Sequence, residues 1–402
     1  MKRFEVIRIS FLSVVILATL ILGGGTVNAA ALLSCGSWNV VSSPSPGGDD
    51  VLFGAAAVPG TNQIWSVGRF DGSDGFYHTL TELWDGSSWS LVSSPNVANT
   101  SNLLNGVAVV SANDVWAVGL YNSDGIHPGL TLIEHWNGTS WSIVSSPSPT
   151  DFNFMNAVAG TSANDVWAVG DYENNKGIYK TLTEHWDGTS WSIIPSPSSG
   201  DFDSLQGLAA ISTNNVWAVG SFSKQRTRTL IEHWDGSSWS IVSSPNVGKG
   251  ASHDNYLVGV AAVSGNASDI WAVGKYYNPG TPHGYHTLVE HWDGSSWRVV
   301  KSPDPGGMGG NPILYAVAAV SASDVWAVGY LINPNAAYLT LIVHWNGRKW
   351  SVVPSPSPGG EANGEASVLY GVAAASAHNV QAVGYYQTDV FNPTVTLTEA
   401  YC

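Results

Sequence analysis

Aspartate and histidine recur through this sequence at matched places. An Asp stands just before a Val-Trp or Ile-Trp pair, and a His stands just before a later Trp: Asp114 with His135, Asp165 with His185, Asp269 with His291, and Asp324 with His344. Asn215 with His233 is a mixed version, whereas Gln63 with Leu83 and Asn379 with Ala400 lack the pair. Such residues can ligate a metal or carry acid–base chemistry, but a zinc site needs its ligands to converge within about 2 Å of one point. Pairs repeated at a near-constant step along the chain belong to separate units. Each Asp is therefore expected to hold its His by a hydrogen bond that pins two hairpins together, with no metal site and no cofactor. Glu134, Glu184, Glu232 and Glu290 recur in the same way and read as scaffold.

A second set of positions breaks the symmetry. The residue after the glycine of each "WAVG"-type phrase is Arg69, Leu120, Asp171, Ser221, Lys275, Tyr330 or Tyr385. Arg69, Asp171, Lys275, Tyr330 and Tyr385 are the candidate ligand-binding residues, because binding usually resides where a rigid scaffold varies. The next position holds Phe70, Tyr121, Tyr172, Phe222, Tyr276, Leu331 and Tyr386, a nearly all-aromatic column expected to pack between repeats. Asp171, Glu173, Asp201 and Asp203 are the carboxylates that a paired-carboxylate hydrolase or lyase would draw on. Their spacing selects no pair, and no G-x-S-x-G nucleophile motif opens a helix.

The elements that position these residues follow from a repeat. One column of tryptophans runs Trp65, Trp116, Trp167, Trp217, Trp271 and Trp326, with Gln381 in the seventh place. A second runs Trp84, Trp136, Trp186, Trp234, Trp292 and Trp345, with Tyr401 seventh. A third runs Trp89, Trp141, Trp191, Trp239, Trp297 and Trp350, and its seventh member is Trp38, at the opposite end of the chain. All 19 tryptophans fall in a column, so they build the scaffold. Residues 105–147 show the unit: "NGVAVV", a turn, "VWAVGLY", a variable loop, "LTLIEHW", the turn "NGTS", and "WSIVSS". Asn-Gly or Asp-Gly between strand-like runs is a strong hairpin signal. Four antiparallel strands per unit of about 50 residues make a propeller blade. The small residues of the first strand, as in Gly106-Val107-Ala108, suit an innermost position on a narrow shaft.

The expected fold is thus all-β: one seven-bladed β-propeller over 30–402. Its blades lie near 51–95, 102–147, 152–197, 203–245, 256–303, 313–356, and 368–402 with 36–44. Its repeat resembles the Kelch family, in which a strand ending in glycines is followed by an aromatic, a turn and a Trp strand. Here a single Gly replaces the Kelch double glycine and the turn is shorter. "DGSSW" also partly resembles the Asp box of sialidase-like propellers, with Asp and Gly adjacent here. A sialidase resemblance would imply an arginine cluster, yet only Arg69, Arg226 and Arg228 fall in the variable loops.

The two ends complete the picture. "TVTLTEAYC" stops with Cys402 in the place of Asp187, and "CGSW" matches "GTSW" with Cys35 in the place of Gly188. The N-terminal strand is expected to close the ring as the fourth strand of the last blade, with a Cys35–Cys402 disulfide at that turn. A lipidated Cys35 in "LLSC" fits less well, since it lies far beyond the apolar run and would strand Cys402. Lys2, Arg3 and Arg8 precede the apolar run Ile9–Leu22, with small residues near Ala29, which reads as a signal peptide over 1–29. Its removal would leave 12 basic against 29 acidic residues, a net charge of −17. Such acidity excludes nucleic acid as a partner. These readings predict a secreted, monomeric, non-catalytic binding module at the cell exterior. It would stay out of the membrane once the leader is cleaved and recognise a glycan or extracellular protein through its variable face. The alternative is a secreted carbohydrate-active enzyme using carboxylates on that face.

Overall fold

The computed structural model describes residues 36–402 except 123–128, 249–252, 265, 282–283 and 306–309. The expected leader and Cys35 lie outside the described residues. Among those described are 28 strands and no α-helix, and no helix is long and apolar enough to cross a membrane.

The strands Ser101–Ser111, Asp114–Asn122, Leu130–Trp136 and Trp141–Ile143 pair in chain order, each antiparallel to the next. The same four-stranded set recurs over 51–91, 153–193, 202–241, 255–299 and 313–353. Single parallel bridges, Tyr179 with Phe202 and Tyr338 with Ala366, join neighbouring sets. The last turn of each set depends on its Asx-Gly sequence. Gly138 sits at φ 94°, where a side chain is strained, while Asn137 Oδ1 accepts from the amides of Thr139 at 2.9 Å and Ser140 at 3.0 Å.

Between sets the core is built of tryptophan. Trp116 lies 5.0 Å from Trp186 and 5.4 Å from Trp191 of the next set, ring centre to ring centre. Trp65, Trp167, Trp217 and Trp271 repeat the arrangement. Burying a large apolar side chain stabilises by roughly 1.5–3 kcal/mol, so these layers hold each sheet to its neighbour.

The final strands Ala366–Ser376, Asn379–Gln387 and Val395–Tyr401 take Trp38–Val41 as their fourth strand, in register from Trp38 opposite Tyr401 to Val41 opposite Thr398. Trp38 then packs on Trp326 at 5.4 Å, as Trp191 does on Trp116. Gly36 has a φ of 89°, and its amide donates to the Cys402 carbonyl at 2.9 Å. On the other side, Ala373 and Val383 share a core with Leu52, Trp84 and Trp89 of the first set.

The first strands of successive sets lie side by side, which explains their small residues. A Cβ on Gly54 would sit 3.1 Å from the Asn105 carbonyl, and one on Gly371 would sit 3.0 Å from that of Phe53. The "WAVG" glycine has another cause. A Cβ on Gly119 would fall 1.9 Å from the Leu103 carbonyl oxygen, inside any contact distance.

Candidate functional site

That close approach accompanies a bulge. Each first strand shifts register once near its start, between Leu104 and Gly106, Met155 and Ala157, or Leu205 and Gly207, for example. The skipped residues are Asn105, Asn156 and Gln206 in these strands, Val258 in the fifth, and Phe53, Tyr315 and Tyr370 in the others. A bulge adds a residue and re-aims its side chain. All seven line one cavity of about 170 Å³, walled by the first strands of all the sets.

The lining is split in character. On one side, Asn105 Nδ2 donates to the Met155 carbonyl and Asn156 Nδ2 to that of Leu205, both at 2.9 Å. Gln206 Nε2 donates to Ser204 Oγ at 2.6 Å, and Ser204 Oγ donates to Asp171 Oδ1 at 2.6 Å. On the other side, Tyr370 meets Tyr315 at 4.9 Å, Phe53 at 5.4 Å and Tyr385 at 6.0 Å, and Tyr330 lies 5.9 Å from Tyr315. Burial raises the hydroxyl pKa of Tyr315, Tyr330, Tyr370 and Tyr385, so these phenols keep their protons.

A wider cavity of about 440 Å³ adjoins this lining, with Asp171 and Lys275 both in its wall. Asp171 is 4% exposed. Burial raises its carboxyl to about 6, against the hydrogen bonds from Ser204 and Asn156. Lys275 Nζ lies over two rings, 4.7 Å from the centre of Tyr285 and 5.3 Å from that of Tyr256, and burial lowers its pKa. Tyr179 and Phe202, ring centres 4.7 Å apart, form an aromatic ledge in the same wall.

Of the varying positions, the structure therefore brings Asp171 and Lys275 to one cavity. Tyr330 and Tyr385 join the aromatic cluster, and the Arg69 guanidinium lies 3.9 Å above the Tyr77 ring. All five sit within strands, because pairing continues past the glycine, as in Asp165–Glu173. The aromatic column beside them, including Tyr121, Tyr172 and Phe222, packs against the cores. Asp203 is fully buried and accepts from the Gly200 amide at 2.8 Å, Asp201 is exposed, and Asp171 is the one carboxylate among the residues lining the wider cavity. Glu173 stands beside the same wall, where it acts on the Tyr179 hydroxyl together with Asp171. The bulged residues escaped the sequence reading, although the column before "GVA" visibly varies from Phe to Asn, Gln, Val and Tyr.

The Asp–His positions lie elsewhere. His135, His185, His291 and His344 each place Nε2 at 2.8–2.9 Å from Asp114, Asp165, Asp269 and Asp324, and His233 does so with Asn215. Asp114 also accepts from Trp116 Nε1 at 2.8 Å, and the His135 ring stacks on that indole at 4.2 Å. Trp167, Asp165 and His185 repeat this contact, and Trp217, Asn215 and His233 make it with an amide in place of the carboxylate. The repeated glutamates are a different finding. Glu82, Glu134, Glu184, Glu232, Glu290 and Glu399 are all fully buried; Glu82, Glu184 and Glu399 have neither carboxyl oxygen hydrogen-bonded, while Ser94, Ser196 and Ser244 stand beside Glu134, Glu232 and Glu290. Burial raises Glu82 to about 9, and Glu134, Glu184, Glu232 and Glu290 to about 8.

No protein-family model matches the chain, and no curated protein matches it in sequence. Solved structures do. The YCF48 protein bound to D1 peptide is 12% identical at a TM-score of 0.51, covering 92% of this chain and 98% of that one. YCF48 from Cyanidioschyzon merolae is 15% identical at 0.51, covering 91% and 98%. A polysaccharide lyase, an ulvan lyase bound to a glucuronate–sulfated rhamnose glycan, is 8% identical at 0.52, covering 89% and 95%. These neighbours are β-propellers. The class defined here is an all-β protein of repeated four-stranded antiparallel sheets with a propeller-like fold.

Proposed function

We propose that residues 30–402 form one seven-bladed propeller of Kelch-like repeat, exported behind a leader over 1–29. In this reading Trp38–Val41 closes the ring and a Cys35–Cys402 disulfide staples it. The protein acts outside the cell as a non-catalytic binding module that takes a glycan at the mouth of its shaft. The observation that carries the reading is the split cavity wall: amide, hydroxyl and carboxylate groups from Gln206, Ser204 and Asp171 face it beside the Tyr179–Phe202 ledge. A concave site with aromatic walls and a few fixed polar groups suits a sugar, whose ring faces stack while its hydroxyls hydrogen-bond. A volume of about 440 Å³ fits one or two sugar rings better than the broad face of a folded partner.

The test is calorimetry and array binding of the purified chain against neutral and acidic oligosaccharides. Binding is expected, weakened at least tenfold in Tyr179→Ala and Gln206→Ala; absence of binding to every sugar would overturn the reading. The enzymatic alternative draws on one observation, a carboxyl held near 6 in the cavity wall, where a proton can move in either direction at neutral pH. Time-dependent release of shortened sugar, abolished in Asp171→Asn, would replace binding with turnover.

A further inference from the structure

The two cations of the varying column sit against aromatic faces, unlike their neighbour Lys180. Lys180 finds a carbonyl, with Nζ 3.1 Å from Gly200 O, and the Asp203 carboxylate at 3.9 Å. Lys275 has neither. Among the described residues its ammonium has no ion pair or hydrogen bond, only the faces of Tyr256 and Tyr285, though it is half-buried in the wall of the wider cavity. Arg69 repeats the pattern, with its guanidinium on Tyr77 and a buried Nε that bonds to nothing among the described residues.

Ring faces stabilise a cation but do not neutralise it, and a buried charge without a counter-ion is costly. Such a group is stabilised when an anion completes its contacts. Asp171 makes no ion pair with Lys275 among the described residues; its Oδ1 instead accepts from Ser204 and Asn156. An anionic group on a ligand seated in the cavity would supply that partner.

Resting on the glycan reading above, we propose that the ligand is an acidic sugar whose carboxylate or sulfate sits on Lys275 while its hydroxyls reach Asp171, Ser204 and Gln206. The protein's strongly negative formal charge, −15 over the whole chain, limits how much polyanion it can accommodate. A terminal acidic residue entering the cavity meets the local cation, whereas a long polyanion lying across the surface meets net repulsion.

The experiment is titration calorimetry with three disaccharides matched in size: one bearing a uronate, one bearing a sulfate and one neutral. The acidic pair should bind at least about tenfold more tightly than the neutral one. Lys275→Gln should erase that preference by weakening the acidic sugars far more than the neutral one, Lys275→Arg should keep most of it, and Lys180→Gln should have no effect. Raising salt from 50 to 500 mM should weaken only the acidic ligands. Comparing uronate with sulfate shows which anion is preferred. Equal binding of neutral and acidic sugars, unaltered in Lys275→Gln, would overturn this inference and leave the glycan reading standing. Failure of every sugar would overturn both. If Lys275→Gln does not fold, the Lys275→Arg variant and the salt series on the native chain decide the matter.

Discussion

Ser204 Oγ donates to Asp171 Oδ1 at 2.6 Å, linking a first strand of one sheet to a second strand of the sheet before it. Burial raises the Asp171 carboxyl to about 6, and Ser204 is the largest influence opposing that rise. Ser204→Ala should therefore move the Asp171 midpoint upward from about 6, read by carboxyl carbon NMR titration. A midpoint that stays put or falls would mean the hydroxyl does not hold the charged form.

The buried glutamates predict a pH trend. Glu184 is held at about 8 by burial, above its ordinary 4.5, so the folded state binds its proton more tightly than the unfolded state. Its contribution to stability is complete below about 4.5 and is lost as pH rises through about 8. Thermal unfolding at pH 5, 7 and 9 should show a falling Tm. Glu184→Gln should flatten the fall and unfold at a higher temperature than the native chain at pH 9. A Tm that rises with pH across this range would refute the account.

His185 is predicted to matter for stability alone. Its Nε2 lies 2.8 Å from Asp165, which also accepts from Trp167 Nε1 at 3.1 Å. His185→Ala leaves Asp165 one partner short and should cost about 1–2 kcal/mol, seen as a lower urea midpoint. Sugar binding should be unchanged, and a loss of binding at native stability would count against a structural role.

The Gly36–Cys402 contact bears on the proposed staple. Thiol labelling of denatured, unreduced protein should find no free cysteine. Reduction, or Cys402→Ser, should lower stability by up to about 5–6 kcal/mol on the chain-entropy argument. Two labelled thiols in the secreted protein would remove the disulfide from the proposal.

Much of the scaffold was legible because symmetry made it so. Trp columns, Asx-Gly turns and the truncated "TEAYC" each repeat a pattern, and the pairing of Trp38 with Tyr401 follows that alignment. The site was only half legible, for a physical reason. Strand alternation has a period of two, and a bulge interrupts it without a residue signature of its own. Reading the inner strand from Gly106 onward therefore missed Asn105, and likewise Asn156, Gln206, Tyr315 and Tyr370. Lys275 was visible as a varying position, but its lack of a counter-ion emerges only once Tyr256 and Tyr285 stand around it.

The pairing of Trp38–Val41 with the far end of the chain also sets a timetable. Thr398 Oγ1 donates to the Val41 carbonyl across 357 residues. During synthesis Trp38–Val41 is made some 357 residues before the strand it pairs with. Until then an apolar strand with open backbone edges waits in solvent while every intervening sheet can form from its own neighbours. Completion of this four-stranded set thus waits for Val395–Tyr401, and in that interval the open strand is exposed to mispairing with another copy of the chain.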